Sequence, residues 1–426
     1  MDLKRRLSQI IAKSTGLRNF HCQPQALQRD AATISSVRVC LFSMSQLFKL
    51  VATLVLGLTL IQISRGRLRT GVSKLVSDAT NIFSINLLKE VFDKDPGNVV
   101  VSPVSLSTLL AIVHQAAASN TRKQLTQVLH AGPQALRSGY SDIILSIKRG
   151  LDILEPFKKS LKKDFLSQIE TVNFFEPGTA AGFINEWIAD NTHGRINDLI
   201  KPGMLSLDTK LILTNAIYFK NLWKDPFIEQ YTKKGPFYKE DGTQVQVTMM
   251  HLTNTLTEGY IENLRSRWIE VPFQGQRYSM LIIVPSKNMS FEEMVNKFTT
   301  QDLTTIMENI KTTPAFDVYL SLPKFKLSTE INFIPTLMKL GLTDLFTARS
   351  DLPRLTGSPL YVNQVIQKAE IEVDEKGATG SAGTGIGVVA ISAPAPFKVD
   401  RPFLFFVIDS VNAIPIFAGK VTDPSI

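Results

Sequence analysis

Residues 369–393 constrain the fold more than any other stretch of the chain. Ala369-Glu370-Ile371-Glu372-Val373-Asp374-Glu375 alternates strictly between apolar and acidic side chains. That is the period of a strand with one buried face, and it points Ala369, Ile371 and Val373 inward. After Lys376, the seventeen residues 377–393 contain neither a charge nor a proline. A Gly/Ser tether is the plain reading of such a run. Tethers, however, seldom end in Val-Val-Ala-Ile, which invites aggregation when left exposed. Every second residue, Ala378, Gly380, Ala382, Thr384, Ile386 and Val388, carries a small and then a branched side chain, none of them ionisable. The opposite set, Thr379, Ser381, Gly383, Gly385 and Gly387, is small or polar. These are the requirements of a strand that slides into a sheet, with one row facing a core and the other facing water. A segment that lies outside a sheet in one state and can enter it in another is a metastable element.

The rest of the chain must then supply the sheet. Its net charge of +9 suggests a nucleic-acid binder at first sight. Residues 1–70, with eleven Lys/Arg against Asp2 and Asp30, carry all of that excess, so the remaining body is electroneutral. A broad phosphate-binding surface is thereby excluded, and no nucleic-acid partner is expected. The run from Leu50 to Ser64 is uncharged for fifteen residues. It is short for a membrane span, which needs about 20, and suits a secretory h-region. With Met44 as a start, Lys49 as the n-region and Ser64-Arg65-Gly66 as the cleavage site, residues 44–66 read as a signal peptide. Residues 1–43 then form an upstream extension, either not translated or removed. A signal anchor and an organelle transit peptide are the other readings of this leader. The favoured one makes the protein secreted, extracellular and free of the membrane.

Cys22 and Cys40 both fall in the leader, so the mature chain has no thiol chemistry, disulfide framework or cysteine metal site. One glycosylation sequon occurs, at Asn288-Met289-Ser290. Apolar spacing predicts helices through much of 75–135, broken by the short buried-strand run Asn98-Val99-Val100-Val101, and again over 180–200. From about residue 210 strands dominate, interrupted by a helix at roughly 330–340. Helices and strands are grouped rather than alternating, which places the chain in the α+β class with large, mostly antiparallel sheets. His114, His130, His193 and His251 form no HExxH arrangement, and no GxSxG elbow occurs. The Gly383-x-Gly385-x-Gly387 triplet is followed by Val-Val-Ala-Ile-Ser-Ala-Pro, which cannot open the helix of a dinucleotide site. No enzyme, cofactor or metal is expected.

Seven stretches together carry a family resemblance: NVVVSPVSLSTLLAIV (98–113), NTHGRINDLI (191–200), LTNAIYFKNLWKDPF (213–227), LPKF (322–325), KAEIEVDEKG (368–377), RPFLFFVID (401–409) and IFAGKVTDP (416–424). On these the chain is identified as resembling the serpin superfamily of serine protease inhibitors over its whole body, a single domain spanning 75–426. The resemblance implies three β-sheets with a large central one, surrounding helices, and an exposed reactive-centre loop at 376–397. It implies a monomer that offers the loop to a serine protease as bait and forms a covalent acyl complex. The cut loop then enters the large sheet as a new strand. Loop length counted from Gly377 to Pro402 places the reactive bond between Ile391 and Ser392.

The same resemblance gives a hinge of Glu375, Gly377, Ala378, Gly380 and Ala382. It pairs Glu375 with Lys324 at the top of the sheet and sets Trp223 beneath them. It gathers Ser102, Ser105 and Asn215 at mid-sheet, where strands part, with Gln367 in place of the family's usual histidine. With Ile391 preceded by Val389 and Ala390, and no Lys or Arg between Gly377 and Phe397, an elastase-like or chymotrypsin-like target is expected. The chain also departs from the pattern. Gly380, Gly383, Gly385 and Gly387 weaken an inserted strand by roughly 2–4 kcal/mol in all, which keeps open a non-inhibitory serpin acting as protease substrate, carrier or storage protein. The helix before the second strand of the large sheet is truncated between Leu129 and Leu151, which speaks against activation by heparin. The run Lys158-Lys159-Ser160-Leu161-Lys162-Lys163 reads as a solvated helix face.

Overall fold

The computed structural model describes residues 72–133, 135–136, 146–148, 168–170, 172–192, 194–206, 209–219, 221–378 and 394–426. The leader (1–43 and 44–66), the hinge positions Gly380 and Ala382, and the reactive bond Ile391–Ser392 lie outside the described residues, as does most of the truncated region between Leu129 and Leu151.

The described helices are α1 (Val72–Lys94), α2 (Pro103–Ala116), α3 (Ser119–Val128), α4 (Pro177–Asn191), α5 (Phe291–Lys297), α6 (Thr300–Thr312) and α7 (Ile334–Lys339). The strands are β1 (Val99–Val101), β2 (Ser146–Lys148), β3 (Gln168–Glu170), β4 (Ile212–Phe219), β5 (Asn221–Leu222), β6 (Lys233–Tyr238), β7 (Gln244–Ile261) and β8 (Ser266–Pro272). They continue with β9 (Tyr278–Pro285), β10 (Phe316–Pro323), β11 (Phe325–Asn332), β12 (Gln364–Val373), β13 (Gly377–Ala378), β14 (Ala395–Lys398), β15 (Phe403–Asp409) and β16 (Ile414–Val421).

The α+β class holds, with helix-rich and strand-rich segments grouped as the periodicities imply. Five strands form one sheet in the order β11-β12-β4-β2-β3. A second array runs β1-β16-β15-β9-β8-β7-β10-β14, with β6 also on β7. The reason for its length is β7, whose 18 residues serve two sheets. Its Thr257–Ile261 end pairs with β8, while Met249–Leu256 pairs with β10. Gly259 permits this junction, because a Cβ there would sit 2.6 Å from the Trp268 ring. The sheet beneath the loop's root is therefore the five-stranded one, and the most extended hydrogen-bonded array lies elsewhere. A two-stranded ribbon, β13–β5, completes the arrangement.

The core between sheets is packed by Phe325, Leu327, Ala369, Ile371 and Val373 from the five-stranded sheet and Phe403, Phe405, Val407 and Phe417 from β15 and β16. Ala369, Ile371 and Val373 are buried and Glu370 and Glu372 half-buried, as the alternation requires. A second cluster joins α1, α2 and α3 to the opposite face of β15 through Leu404, Phe406 and Ile408.

One helix ends early. Periodicity carries it to residue 200, but α4 stops at Asn191. Gly194 takes φ +73°, which favours a residue without Cβ, and the chain reverses there. The apolar residues Ile196, Leu199 and Ile200 then continue as buried chain outside any helix or strand. Their backbone is held instead by Asn185, whose Oδ1 accepts from Leu199 N at 3.0 Å and Ile200 N at 2.8 Å. Apolar spacing alone does not distinguish these two outcomes.

Candidate functional site

The alternating segment becomes β12, and its neighbours decide what it can do. On one side it pairs antiparallel with β11. On the other it pairs parallel with β4, from Gln364↔Ile212 to Ile371↔Phe219. A parallel pair without an intervening strand leaves room in topology for one more strand, which would lie antiparallel to both neighbours. The chain leaving β12 is directed to that seam. Asp374–Gly377 form a tight turn, in which Asp374 Oδ1 accepts from Lys376 N at 2.9 Å and Gly377 N at 3.1 Å. The residues beyond, Gly377 and Ala378, pair with Leu222 and Asn221, just past the end of β4. The root of the loop thus crosses from the top of β12 to the top of β4.

Several contacts fasten this root. Lys324 Nζ donates to Glu375 Oε2 at 2.8 Å. Glu375 is buried although it closes a run of half-exposed acids. Phe227 N donates to Glu375 O at 2.8 Å and Trp223 N to Lys376 O at 2.9 Å. Trp223 is buried, donates its Nε1–H to Asp374 O at 2.9 Å and stacks on Phe273 at 4.4 Å between centroids. The stacked pair thus holds the turn through the indole bond to Asp374 O.

Midway down the seam lies the polar cluster. Gln367 and Asn215 are register partners across β12 and β4. Gln367 Oε1 accepts from Ser102 N at 2.8 Å, while its Nε2 donates to Ser102 O at 3.0 Å and Ser105 Oγ at 3.1 Å. Ser105 Oγ donates in turn to Asn215 Oδ1 at 3.0 Å. All four residues are buried. The amide of Gln367 supplies a donor and an acceptor together, so the network closes with no histidine. It ties both seam strands to the N-terminus of α2, and a fully satisfied buried network of this kind holds a single geometry.

Asn288 stands apart, exposed on the turn before α5, and Ser290 of its sequon caps that helix by accepting from Glu293 N at 3.0 Å. The residues that sequence reasoning missed are Phe273, under Trp223, and Asn221 and Leu222, which receive the loop's root. Only their closeness in sequence to Trp223 could have pointed to the latter pair. Among the described residues, no cluster of His, Cys, Asp and Glu could hold a metal ion, and no helix is long and apolar enough to cross a membrane.

The Lys324–Glu375 contact has a pH dependence of definite sign. Burial pushes the Glu375 carboxyl up, but the hydrogen bond and charge of Lys324, with further hydrogen bonds, outweigh it and hold the carboxyl below its ordinary range. Donating that hydrogen bond to Glu375 raises Lys324 in turn. The pair's contribution is therefore full through neutral pH and is lost as pH falls through the depressed Glu375 value. With the Lys324 side chain 42% exposed, it amounts to about 1–2 kcal/mol. Acidification should loosen the turn, read as a change in Trp223 fluorescence. In Glu375→Gln that acid transition should be absent and the loosened signal present at pH 7. Survival of the transition in the variant would assign it to another group.

The geometry has counterparts in known proteins. The family model described as Serpin (serine protease inhibitor) matches residues 78–424. The leukocyte elastase inhibitor of Sus scrofa is 31% identical over 376 residues, covering 82% of this chain and 99% of that protein. Among solved structures, serine protease inhibitor (serpin)-12 of Manduca sexta has 26% identity and a TM-score of 0.74, covering 82% of this chain and 99% of that one. Serpin48 of Tenebrio molitor has 28% identity and a TM-score of 0.73, covering 82% and 98%.

Proposed function

The chain belongs to the serpin family, and from that premise we propose that it inhibits a serine endopeptidase as a suicide substrate. Serpins are mostly protease inhibitors rather than enzymes, and they generally bind target proteases. The observation that carries the finer reading is the parallel β12–β4 pair with the root of the loop lying across its open end.

In the proposed cycle the protease's serine hydroxyl adds to the carbonyl carbon of Ile391. The Ile391–Ser392 peptide bond breaks, the hydroxyl proton passes through the protease's own base to the departing Ser392 amine, and an ester joins the two proteins. Freed at one end, residues 378–391 enter the seam antiparallel to β12 and β4 and carry the ester-linked enzyme with them. Water completes the competing reaction by hydrolysing the ester. The outcome is a race between insertion and hydrolysis, and the four loop glycines slow the first contestant.

The target proposed is elastase-like or chymotrypsin-like, since the loop offers apolar Val389, Ala390 and Ile391 and no Lys or Arg. That a relative is named leukocyte elastase inhibitor supports this choice. We further propose a secreted monomer, started at Met44, glycosylated on the exposed Asn288 and independent of heparin. The test is incubation of the mature protein with pancreatic elastase and with chymotrypsin, followed by a denaturing gel. A covalent complex that survives detergent is the expected result. Rapid cleavage near Ile391 with no such complex would make the chain a substrate or carrier and overturn the inhibitory reading.

A further inference from the structure

Away from the seam, three segments meet at the far end of α2. Residues 350–354 strap across the α2–α3 corner: Ala118 N donates to Asp351 O at 3.0 Å, Asp351 N to Thr121 Oγ1 at 3.0 Å, and Arg354 N to Ala116 O at 3.3 Å. Hydrogen-bond donors collect here without acceptors. Ten buried side-chain N or O atoms lack a protein partner among the described residues, and four of them belong to these three segments. They are His114 Nδ1 and Gln115 Nε2 on α2, Arg122 Nε on α3 and Ser350 Oγ on the strap. Buried polar atoms are satisfied in all but a few cases per hundred residues, so a cluster of exceptions at one corner asks for a cause.

Charge points the same way. Burial and the repulsion of Arg354 both depress Arg122. Burial, with help from both guanidiniums, takes His114 down to about 4. Neither arginine has a carboxylate partner among the described residues, and the one polar contact of the Arg354 side chain is a 3.5 Å donation to Gln115 O. Two acids stand in this region. Asp344 takes Arg349 at 3.3 Å and Asn120 at 2.6 Å, and Asp351 contributes main-chain atoms only. His114 Nε2 and Thr126 Oγ1 share a 2.9 Å hydrogen bond, and in the tautomer where the hydroxyl donates, the neutral ring presents Nδ1–H as another donor.

We infer that this corner binds a small tetrahedral oxyanion of the phosphate type, held by Arg122 and Arg354 with donors from Gln115, Ser350 and His114. Two guanidiniums present paired N–H groups in the geometry that phosphate oxygens accept, and a dianion would cancel their mutual repulsion. The anion would brace α2, whose N-terminus carries Ser102 and Ser105, and so would stiffen the sheet network from its opposite end.

The experiment titrates the full-length protein with inorganic phosphate, against sodium chloride at matched ionic strength, by calorimetry and by the NMR signal of the His114 ring. Phosphate should bind where chloride does not and should move the His114 titration up towards its ordinary range. In Arg122→Gln/Arg354→Gln the affinity should fall at least about tenfold. Glycerol phosphate separates the sources. Binding of free phosphate alone assigns the free ion, and equal binding of the ester assigns a phosphate group on a larger molecule. Heats indistinguishable from chloride, or undiminished binding in the double variant, overturn the inference. Should that variant not fold, the His114 titration of the unaltered protein decides: no phosphate-dependent movement overturns it equally.

Discussion

Cutting the loop between Ile391 and Ser392 should raise the melting midpoint of the protein by roughly 5–15 °C. The expectation rests on counting ladders. At present β12 and β4 share one parallel ladder of eight paired positions, from Gln364↔Ile212 to Ile371↔Phe219. Insertion replaces it with two antiparallel ladders of similar length, a net gain of about eight hydrogen bonds at roughly 0.5–1.5 kcal/mol each. The four glycines return about 2–4 kcal/mol of that. The remainder, up to about 10 kcal/mol, favours the cut and inserted form, and burial of Ala378, Ile386 and Val388 adds to it. An uncut loop is held at both ends, by β13 on one side and by β14 on the other. Scanning calorimetry of intact and elastase-cut protein, with a parallel urea titration, reads the difference. Equal midpoints would remove the energy source on which trapping depends, while leaving the family membership untouched.

Much of this is legible in the sequence, and the reason is local. The alternation of 369–375 is a two-residue period, so a single register sends Ala369, Ile371 and Val373 into the core. The mid-sheet residues Ser102, Ser105, Asn215 and Gln367 rest on the serpin resemblance and not on any local period, and the structure adds the buried hydrogen-bond network that joins them. What escaped that period depended on tertiary contacts. Alternation alone leaves Glu375 one more acid of its strand, and only the family resemblance pairs it with Lys324, fifty-one positions away, whose Nζ donates to it at 2.8 Å. The end of α4 is set by a side chain, Asn185, that satisfies the following backbone better than another helical turn would. The joining of two sheets along β7 required a glycine opposite Trp268, and although the two are only nine residues apart, residue period alone does not single that glycine out.

The second large effect is expected at Gly377. This residue has φ +139°, a conformation that L side chains rarely adopt. An added Cβ would fall 2.3 Å from Asn221 O and 2.6 Å from Leu222 Cα and Trp223 N, all of them backbone atoms that cannot swing aside. Gly377→Ala must therefore strain the turn or lift β13 away from β5, at a cost of about 3 kcal/mol or more. Lifting β13 also strains the Trp223 N–H bond to Lys376 O and the indole bond to Asp374 O that hold the root at the top of β4. The variant should show altered Trp223 fluorescence, a lower melting midpoint and slow self-association or self-insertion without any cut, and should form little covalent complex. Gly380→Ala is the informative partner. Three residues further on, the same added methyl replaces a strand-weakening glycine in the segment that inserts, so it should speed insertion and raise the yield of trapped protease. Opposite outcomes from one chemical change separate a turn that must stay put from a strand that must move. If Gly377→Ala melts and traps like the unaltered protein, the root is not anchored on β5, and the seam has lost its gate.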